Sequence, residues 1–238
     1  MTIPDMKQQL LFNLQDTERR SAFLVSPCNR EAADYLENWP EQNKSGAVLY
    51  GPAASGKTHL LHLWAEKQQA QILVPQQLTP DGILAEDAER LSGSCFALDD
   101  ADLVLKDGEC AQALFHLYNL TAGGSGIILL TASTDIGSWD CPLPDLTSRL
   151  KTFAALRLLP PDDHLLETLL VKFFSDRQAK IPAEVITYIL RRTERDCAAL
   201  LNLAEEIDAA ALMLKRSVSV PLVREIFDNR KKNIELPL

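Results

Sequence analysis

The eight residues 51–58, Gly-Pro-Ala-Ala-Ser-Gly-Lys-Thr, constrain the fold of this chain more than any other segment. They fit the phosphate-binding spacing G-x-x-x-x-G-K-[ST] without a mismatch. In such a loop the glycines let successive backbone N–H groups face a phosphate, the lysine adds a cation, and the threonine hydroxyl reaches magnesium. The predicted nucleotide contacts are Gly51, Pro52, Ala53, Ala54, Ser55, Gly56, Lys57 and Thr58.

Apolar runs and helical patterns alternate along the first two thirds of the chain. A strand-like run at 47–50 enters the loop and a helical pattern at 58–67 leaves it. Further runs of strand length and further helical patterns follow the same alternation; the runs lie at 71–74, 94–98, 126–131 and 153–158, and the helical patterns at 29–36 and 109–119. Alternation of this kind predicts a parallel sheet covered by helices on both faces.

The pattern changes at Pro160 and Pro161, which few helices or central strands could cross. Beyond them the spacing is helical only, at 165–177, 183–192, 196–214 and 221–229. The predicted organisation is therefore a polar arm, an α/β P-loop domain and a small all-α lid domain, with bounds 1–22, 23–159 and 160–238.

Composition narrows the class of protein. The net charge of −9 and the pI of about 5.0 argue against a protein that holds DNA by its whole surface, because such binding is mostly phosphate neutralisation by Lys and Arg. The five cysteines are scattered and form no C-x-x-C pair, which is typical of free thiols in a reducing compartment. Neither a signal peptide nor a membrane span is expected, so the predicted location is the cytoplasm.

Two acidic residues, Asp99 and Asp100, end the apolar run that begins at Ser94. Ligands of open α/β sheets bind beyond the carboxyl ends of the strands. We therefore expect Asp99, with Thr58, to hold magnesium, and Asp100 to orient or deprotonate an attacking water. The alternative for the acidic pair on its own is a helix N-cap or a solvated turn.

Two arginines are further candidates. Arg149, just before the last predicted strand, could reach a neighbouring subunit's γ-phosphate, although residue physics alone favours a surface salt bridge. Arg195 lies at the start of a predicted helix in the second domain, where a solvated helix-start arginine is the alternative to a nucleotide contact.

These elements in this order resemble an AAA+ ATPase, and their details resemble the DnaA initiator family over about residues 23–230. The motifs that carry the likeness are Phe-Leu-Val-Ser-Pro-Cys-Asn-Arg at 23–30, the acidic pair, Leu-Pro-Asp-Leu-Thr-Ser-Arg-Leu at 143–150 and Arg-Asp-Cys-Ala-Ala-Leu-Leu-Asn at 195–202. The resemblance implies that Arg149 is an arginine finger and Arg195 a second nucleotide sensor. The chain departs from the initiator pattern after the fourth strand, where Thr131-Ala-Ser133-Thr134 replaces the usual Asp-Arg.

The arm contains Gln8-Gln-Leu-Leu-Phe-Asn-Leu14, which resembles short peptides that dock on the bacterial sliding clamp. Two registers fit, one from Gln8 through Phe12 and one from Gln9 through Leu14, and the second is preferred; packing of this segment on the core is the alternative. The predicted clamp contacts are Gln9, Leu10, Phe12 and Leu14. After the lid we expect no helix-turn-helix domain like the one by which an initiator reads its DNA boxes.

Taken together, these features resemble the Hda family of regulatory inactivators of DnaA. The resemblance implies a clamp-docked protein that binds ATP or ADP with Mg²⁺ and stimulates ATP hydrolysis by the DnaA initiator, with DNA contacted mainly through the clamp. Weak hydrolysis of its own nucleotide and a homodimer stay open. The alternatives are a helicase loader or other adaptor that binds single-stranded DNA, and a small autonomous P-loop enzyme such as a nucleotide kinase.

Overall fold

The computed structural model describes residues 23–39 and 45–234. The described chain divides into two compact units. One is an α/β unit that contains Asn29–Leu159, and the other is a helical unit that contains Leu24–Cys28 and the chain from Pro160 onward. The predicted clamp contacts, Gln9, Leu10, Phe12 and Leu14, lie outside the described residues.

A parallel sheet forms the centre of the α/β unit, with the strand order β2-β3-β4-β1-β5. Its strands in the described chain are β1 (Gly46–Tyr50), β2 (Gln71–Ile72), β3 (Cys95–Leu98), β4 (Ile127–Ala132) and β5 (Ala154–Arg157). Strand β4 lies between β1 and β3, so the loop after β1 and the acids after β3 end on either side of β4. The predicted parallel sheet with helical cover is confirmed.

Both faces of the sheet are buried against helices. Successive side chains of a strand point to opposite faces, so neighbouring residues of β1 show which cluster covers each face. Val48 belongs to one apolar cluster, whereas its neighbours Ala47 and Leu49 belong to another. The first cluster packs one face of the sheet against helices that include the one at 108–122. The second cluster packs the other face against the helix that precedes β1 in the chain and the helix that follows it. This two-sided burial explains why the strands appear as continuous apolar runs in the sequence.

The helices of the α/β unit lie between the strands. They are α1 (Arg30–Glu37), α2 (Lys57–Gln68), α3 (Pro80–Leu84), α4 (Ala88–Ser92), α5 (Ala101–Val104), α6 (Gly108–Ala122) and α7 (Pro144–Leu150). Helix α6 begins where the Asp107 carboxylate accepts the N–H groups of Glu109 and Cys110, a capping arrangement that satisfies two otherwise unpaired donors.

The structure differs from the sequence prediction at several short elements. The strand predicted at 71–74 has only two paired residues, because it is the edge strand and Pro75 opens a 3₁₀ turn directly after it. Helices α3, α4, α5 and α7 were not predicted. Proline at the first helical position of α3 and of α7 is the sequence signal that indicates those two helices.

The helical unit has its own apolar core. Its helices are α8 (Asp163–Asp176), α9 (Ala183–Leu190), α10 (Cys197–Leu214) and α11 (Val220–Ile234). Residues 24–28, which the sequence places in the α/β domain, group with this unit. Cys28 at the end of this segment is buried.

All five cysteines are free thiols. In the described part of the chain, no helix combines the length and apolarity that crossing a bilayer requires.

Candidate nucleotide-binding site

The loop at 51–58 leaves β1 and enters α2 through backbone conformations that L residues seldom adopt. Gly51 has φ 157° and Gly56 has φ 90°, and Ala54 between them has φ 60°. A Cβ on Gly51 would lie 2.3 Å from the carbonyl oxygen of Leu158, so glycine is required there by contact as well as by conformation. A non-glycine residue in the left-handed region is strained, and such strain concentrates at ligand sites.

Lys57 is buried at the start of α2, with 7% of its surface exposed. Its Nζ donates to the carbonyl oxygens of Gly51 at 2.9 Å and Pro52 at 2.7 Å. Desolvation lowers the pKa of Lys57, and the charges of Asp100 and Asp99 oppose that shift. The ammonium is therefore held within the loop, where it would meet a phosphate.

Ser55 offers a second polar group to the same loop. Ser55 is buried, and its Oγ has no hydrogen-bond partner among the described residues. A buried hydroxyl without a partner is costly, and a ligand oxygen would satisfy it.

Thr58 and Asp99 are in hydrogen-bonding contact at the carboxyl end of the sheet. The sequence predicts that these two residues share a magnesium ion. The Thr58 hydroxyl lies 2.9 Å from one carboxylate oxygen of Asp99 and 3.2 Å from the other. Magnesium in nucleotide sites is usually bound by one or two protein groups together with phosphate oxygens and waters.

Asp100 follows Asp99 in a left-handed conformation, with φ 49° and ψ 44°. Desolvation raises its pKa above the ordinary value, the charges of Asp99 and Asp102 raise it further, and Lys57 opposes them. A carboxylate with a raised pKa is a better proton acceptor at neutral pH than an ordinary aspartate, which fits the predicted role of a base.

Thr131, at the end of β4, connects the two acids. Its hydroxyl donates to Asp99 Oδ1 and accepts the N–H of Asp100 at 2.8 Å. The residue is fully buried, because β4 lies between β1 and β3. Ser133 is held differently, since its N–H donates to Asp102 Oδ2 at 3.0 Å.

Asp102 is a polar residue of this region that sequence reasoning missed. It is buried in the first turn of α5, and its Oδ1 has no partner within the described residues. Only its position two residues after Asp100 could have indicated it, and that signal is weak without the fold.

Arg149 lies on α7 and is exposed. Its guanidinium carbon lies 5.5 Å from the ring centre of Phe115 and 5.4 Å from that of Tyr118. Arg149 makes no ion pair with any described residue. The surface salt bridge that was the alternative role for this arginine is therefore not seen among those residues.

Arg195 belongs to the helical unit, where it precedes α10. Its guanidinium pairs with Asp163 at 3.1 Å, and both side chains are largely exposed. This is a surface ion pair, a type that contributes little to stability.

Comparison with known proteins places this geometry in a family context. Residues 163–227 match the family model described as Hda, lid domain. Domain III of the Thermotoga maritima replication initiation protein DnaA superposes with a TM-score of 0.72 at 18% identity, covering 87% of this chain and 94% of that one. The described chain therefore shares the fold of this DnaA domain, and its helical unit is similar to the Hda lid domain.

Two further proteins are similar to this chain. AMPPCP-bound DnaA from Aquifex aeolicus superposes with a TM-score of 0.66 at 18% identity, covering 78% of this chain and 63% of that one. An uncharacterized protein of Haemophilus influenzae strain Rd is 28% identical over 188 residues, which are 76% of this chain and 80% of the relative.

The loop at 51–58 fits a nucleotide by the chemistry of its own groups. A buried lysine, an unpartnered buried hydroxyl and a backbone with three positive φ angles converge at one helix N-terminus, where anions are favoured. The described residues contain no cluster of three or more His, Cys, Asp or Glu arranged to hold a metal. Thr58 and Asp99 are the side chains that would hold a magnesium ion bound together with phosphates.

Proposed function

We propose that this chain is an AAA+ nucleotide-binding regulator of chromosomal replication initiation that stimulates ATP hydrolysis by the DnaA initiator. The observation that carries the proposal is Arg149, an exposed arginine on α7 without an ion-pair partner among the described residues. It occurs in a chain whose helical unit matches the Hda lid domain.

Its own nucleotide, ATP or ADP with Mg²⁺, is held by the loop at 51–58. Lys57 contacts the phosphates, and Thr58 with Asp99 holds the ion. Support comes from the fold, which is shared with a DnaA bound to AMPPCP, and from the convergence of Lys57, Ser55 and Thr58. Asp100 has a raised pKa and orients or deprotonates a water, which gives the chain weak hydrolysis of its own.

The hydrolysis that regulates initiation takes place in the partner. Arg149 is inserted toward the γ-phosphate held by the initiator and stabilises the charge that develops as the phosphoryl group transfers. An arginine supplied in trans can accelerate hydrolysis by about 10³–10⁵-fold, which is enough to convert a slow ATPase into a switch.

Arg195 is proposed as a second sensor of the chain's own nucleotide. Its ion pair with Asp163 is exposed and weak, so releasing it costs little. Arg195→Ala is expected to weaken ADP binding, measured by titration calorimetry, and Asp163→Ala should leave that affinity unchanged or raise it. Equal ADP affinity of Arg195→Ala and wild type would remove this role.

Docking on the sliding clamp through Gln9, Leu10, Phe12 and Leu14 remains a proposal from the sequence, because these residues lie outside the described part of the chain. In a pull-down with the clamp, the double substitution Gln9→Ala/Leu14→Ala should abolish recovery. Equal recovery with wild type would exclude docking by this register.

The test of the central proposal is ATP hydrolysis by the initiator on clamp-loaded DNA. Arg149→Ala should abolish the stimulation, whereas Lys151→Ala removes the same charge two residues away and should retain it. Undiminished stimulation by Arg149→Ala would overturn the proposal. Tight, salt-sensitive binding of the isolated protein to single-stranded DNA would instead favour a loader or single-strand adaptor, which the net charge of −9 argues against.

A further inference from the structure

Two aromatic rings on α6 lie under the guanidinium of Arg149. Phe115 and Tyr118 are three residues apart in this helix, so their side chains share one face. The guanidinium carbon of Arg149 lies over both rings, 5.5 Å from the centre of Phe115 and 5.4 Å from the centre of Tyr118. Both distances are within the range in which a cation is attracted to the face of an aromatic ring.

The rings are fixed by packing beneath them. Tyr118 is 8% exposed and its ring lies 5.9 Å from that of Phe153. Phe153 is itself buried and fills the space beside Gly46, where a Cβ would lie 2.1 Å from the ring. Phe115 is half-buried and packs at the edge of the same apolar cluster. The arginine therefore rests on a surface that the core of the α/β unit holds in place.

An arginine that is attracted to a ring face keeps its N–H donors free for another ligand, unlike an arginine in an ion pair. A carboxylate partner would neutralise the charge and occupy the N–H donors that bind phosphate bidentately. A ring face restricts the side-chain rotamers while the five N–H donors, which lie in the guanidinium plane, remain able to donate. Within the described residues, Arg149 lies over two ring faces and has no carboxylate partner.

We propose that Phe115 and Tyr118 are positioning residues that hold the guanidinium of Arg149 ready for an anionic phosphate of a partner ATPase. This inference rests on the proposed function, in which Arg149 acts on the initiator's nucleotide. The rings touch neither that nucleotide nor the chain's own phosphate loop in this mechanism. They restrict the conformations of the arginine before the partner arrives, which reduces the ordering cost of the reactive complex.

The biochemical test compares Phe115→Leu with Phe115→Tyr, because leucine keeps an apolar side chain of similar length and removes the ring. The maximal rate of initiator ATP hydrolysis and the concentration of this protein that gives half of it are measured by titration. Phe115→Leu should lower the maximal rate about 2- to 5-fold and leave the half-saturating concentration unchanged. Phe115→Tyr and Tyr118→Phe, which keep the rings, should behave as wild type.

Two outcomes of that titration would overturn the proposal. One is a maximal rate for Phe115→Leu equal to that of wild type. The other is a loss that lies wholly in the half-saturating concentration, because it would show that the ring serves docking or folding rather than the position of the arginine.

A second readout does not depend on the proposed function. In the ¹⁵N-labelled full chain, ring currents should shift the Arg149 side-chain Nε–H resonance upfield; Arg149→Lys identifies this resonance by removing it. Phe115→Leu should return the resonance toward its ordinary position, and Phe115→Tyr should not. An unmoved resonance in Phe115→Leu rejects the ring contact, whatever the hydrolysis assay shows. If Arg149→Ala still stimulates hydrolysis by the initiator while the resonance moves as expected, only the proposed function is rejected.

Discussion

Thr131 holds Asp99 in place at the carboxyl end of the sheet. The buried hydroxyl donates to Asp99 Oδ1 and at the same time accepts the N–H of Asp100 at 2.8 Å. Asp99 also accepts from Thr58, so two threonine hydroxyls on different elements fix one carboxylate. This arrangement sets the direction in which the predicted magnesium ligand points.

Replacing Thr131 by valine should destabilise the fold. The change keeps the shape of the side chain but leaves the partly buried N–H of Asp100 without its acceptor, at a cost of about 1–3 kcal/mol. Urea denaturation at neutral pH measures the effect. Thr131→Ser retains the hydroxyl and serves as the control; a valine variant within about 0.5 kcal/mol of wild type would show that water replaces the lost acceptor.

Asp100→Asn should raise stability slightly at neutral pH, because partial desolvation and the charges of Asp99 and Asp102 raise the pKa of Asp100 against the opposing charge of Lys57. The gain is small, since Asp100 is exposed and solvent screens its charge. A carboxyl with a raised pKa destabilises the folded state fully above that raised pKa. The penalty disappears as the pH falls below the ordinary value of 3.8. The gain of the variant should therefore shrink on acidification.

The measurement is the urea midpoint of wild type and Asp100→Asn across acidic and neutral pH. Asparagine also tolerates the left-handed conformation at this position, but that contribution does not depend on pH. Asp140→Asn, the same substitution at another exposed aspartate, is the matched control. A difference between Asp100→Asn and wild type that stays constant with pH would contradict the electrostatic explanation.

The two glycines of the phosphate loop should differ in their response to alanine. Gly51→Ala places a Cβ 2.3 Å from the backbone oxygen of Leu158 and also strains the conformation, with an expected cost of roughly 2–6 kcal/mol. Gly56→Ala meets no atom within 4 Å and carries only the strain of φ 90°, with an expected cost of about 1–3 kcal/mol. Thermal or urea unfolding ranks them; an equal or larger loss for Gly56→Ala would contradict this assignment.

Cys197 should resist alkylation in the folded protein. Burial raises the pKa of this thiol to about 11, and the charge of Asp196 adds to the shift. In mildly alkaline solution its thiolate fraction should be roughly 100-fold below that of the unfolded chain, since the pKa rises from 9.0 to about 11. Mass spectrometry after iodoacetamide treatment, with and without urea, measures the rate, and Cys197→Ser identifies the peptide. Equal rates in both states would be inconsistent with the raised pKa.

The phosphate loop was predictable because all of its determinants lie within residues 51–58. Glycines, lysine and threonine at fixed spacing need only a strand before them and a helix after them to form the site. The acids at 99 and 100 were predictable in the same way, since they end an apolar strand. Alternating patterns also indicated the parallel sheet and the helical second domain.

The order of the strands was not predictable from the pattern. Parallel strands that are buried on both faces are all continuous apolar runs, so nothing local distinguishes a central strand from its neighbour. Folding placed β4 between β1 and β3 and brought Thr131 against Asp99. Packing of α7 near α6 likewise put Arg149 over Phe115 and Tyr118. The sequence by itself determined which groups are candidates to bind phosphate. Tertiary structure decided what holds the acids and the arginine, because those contacts join segments distant in the chain.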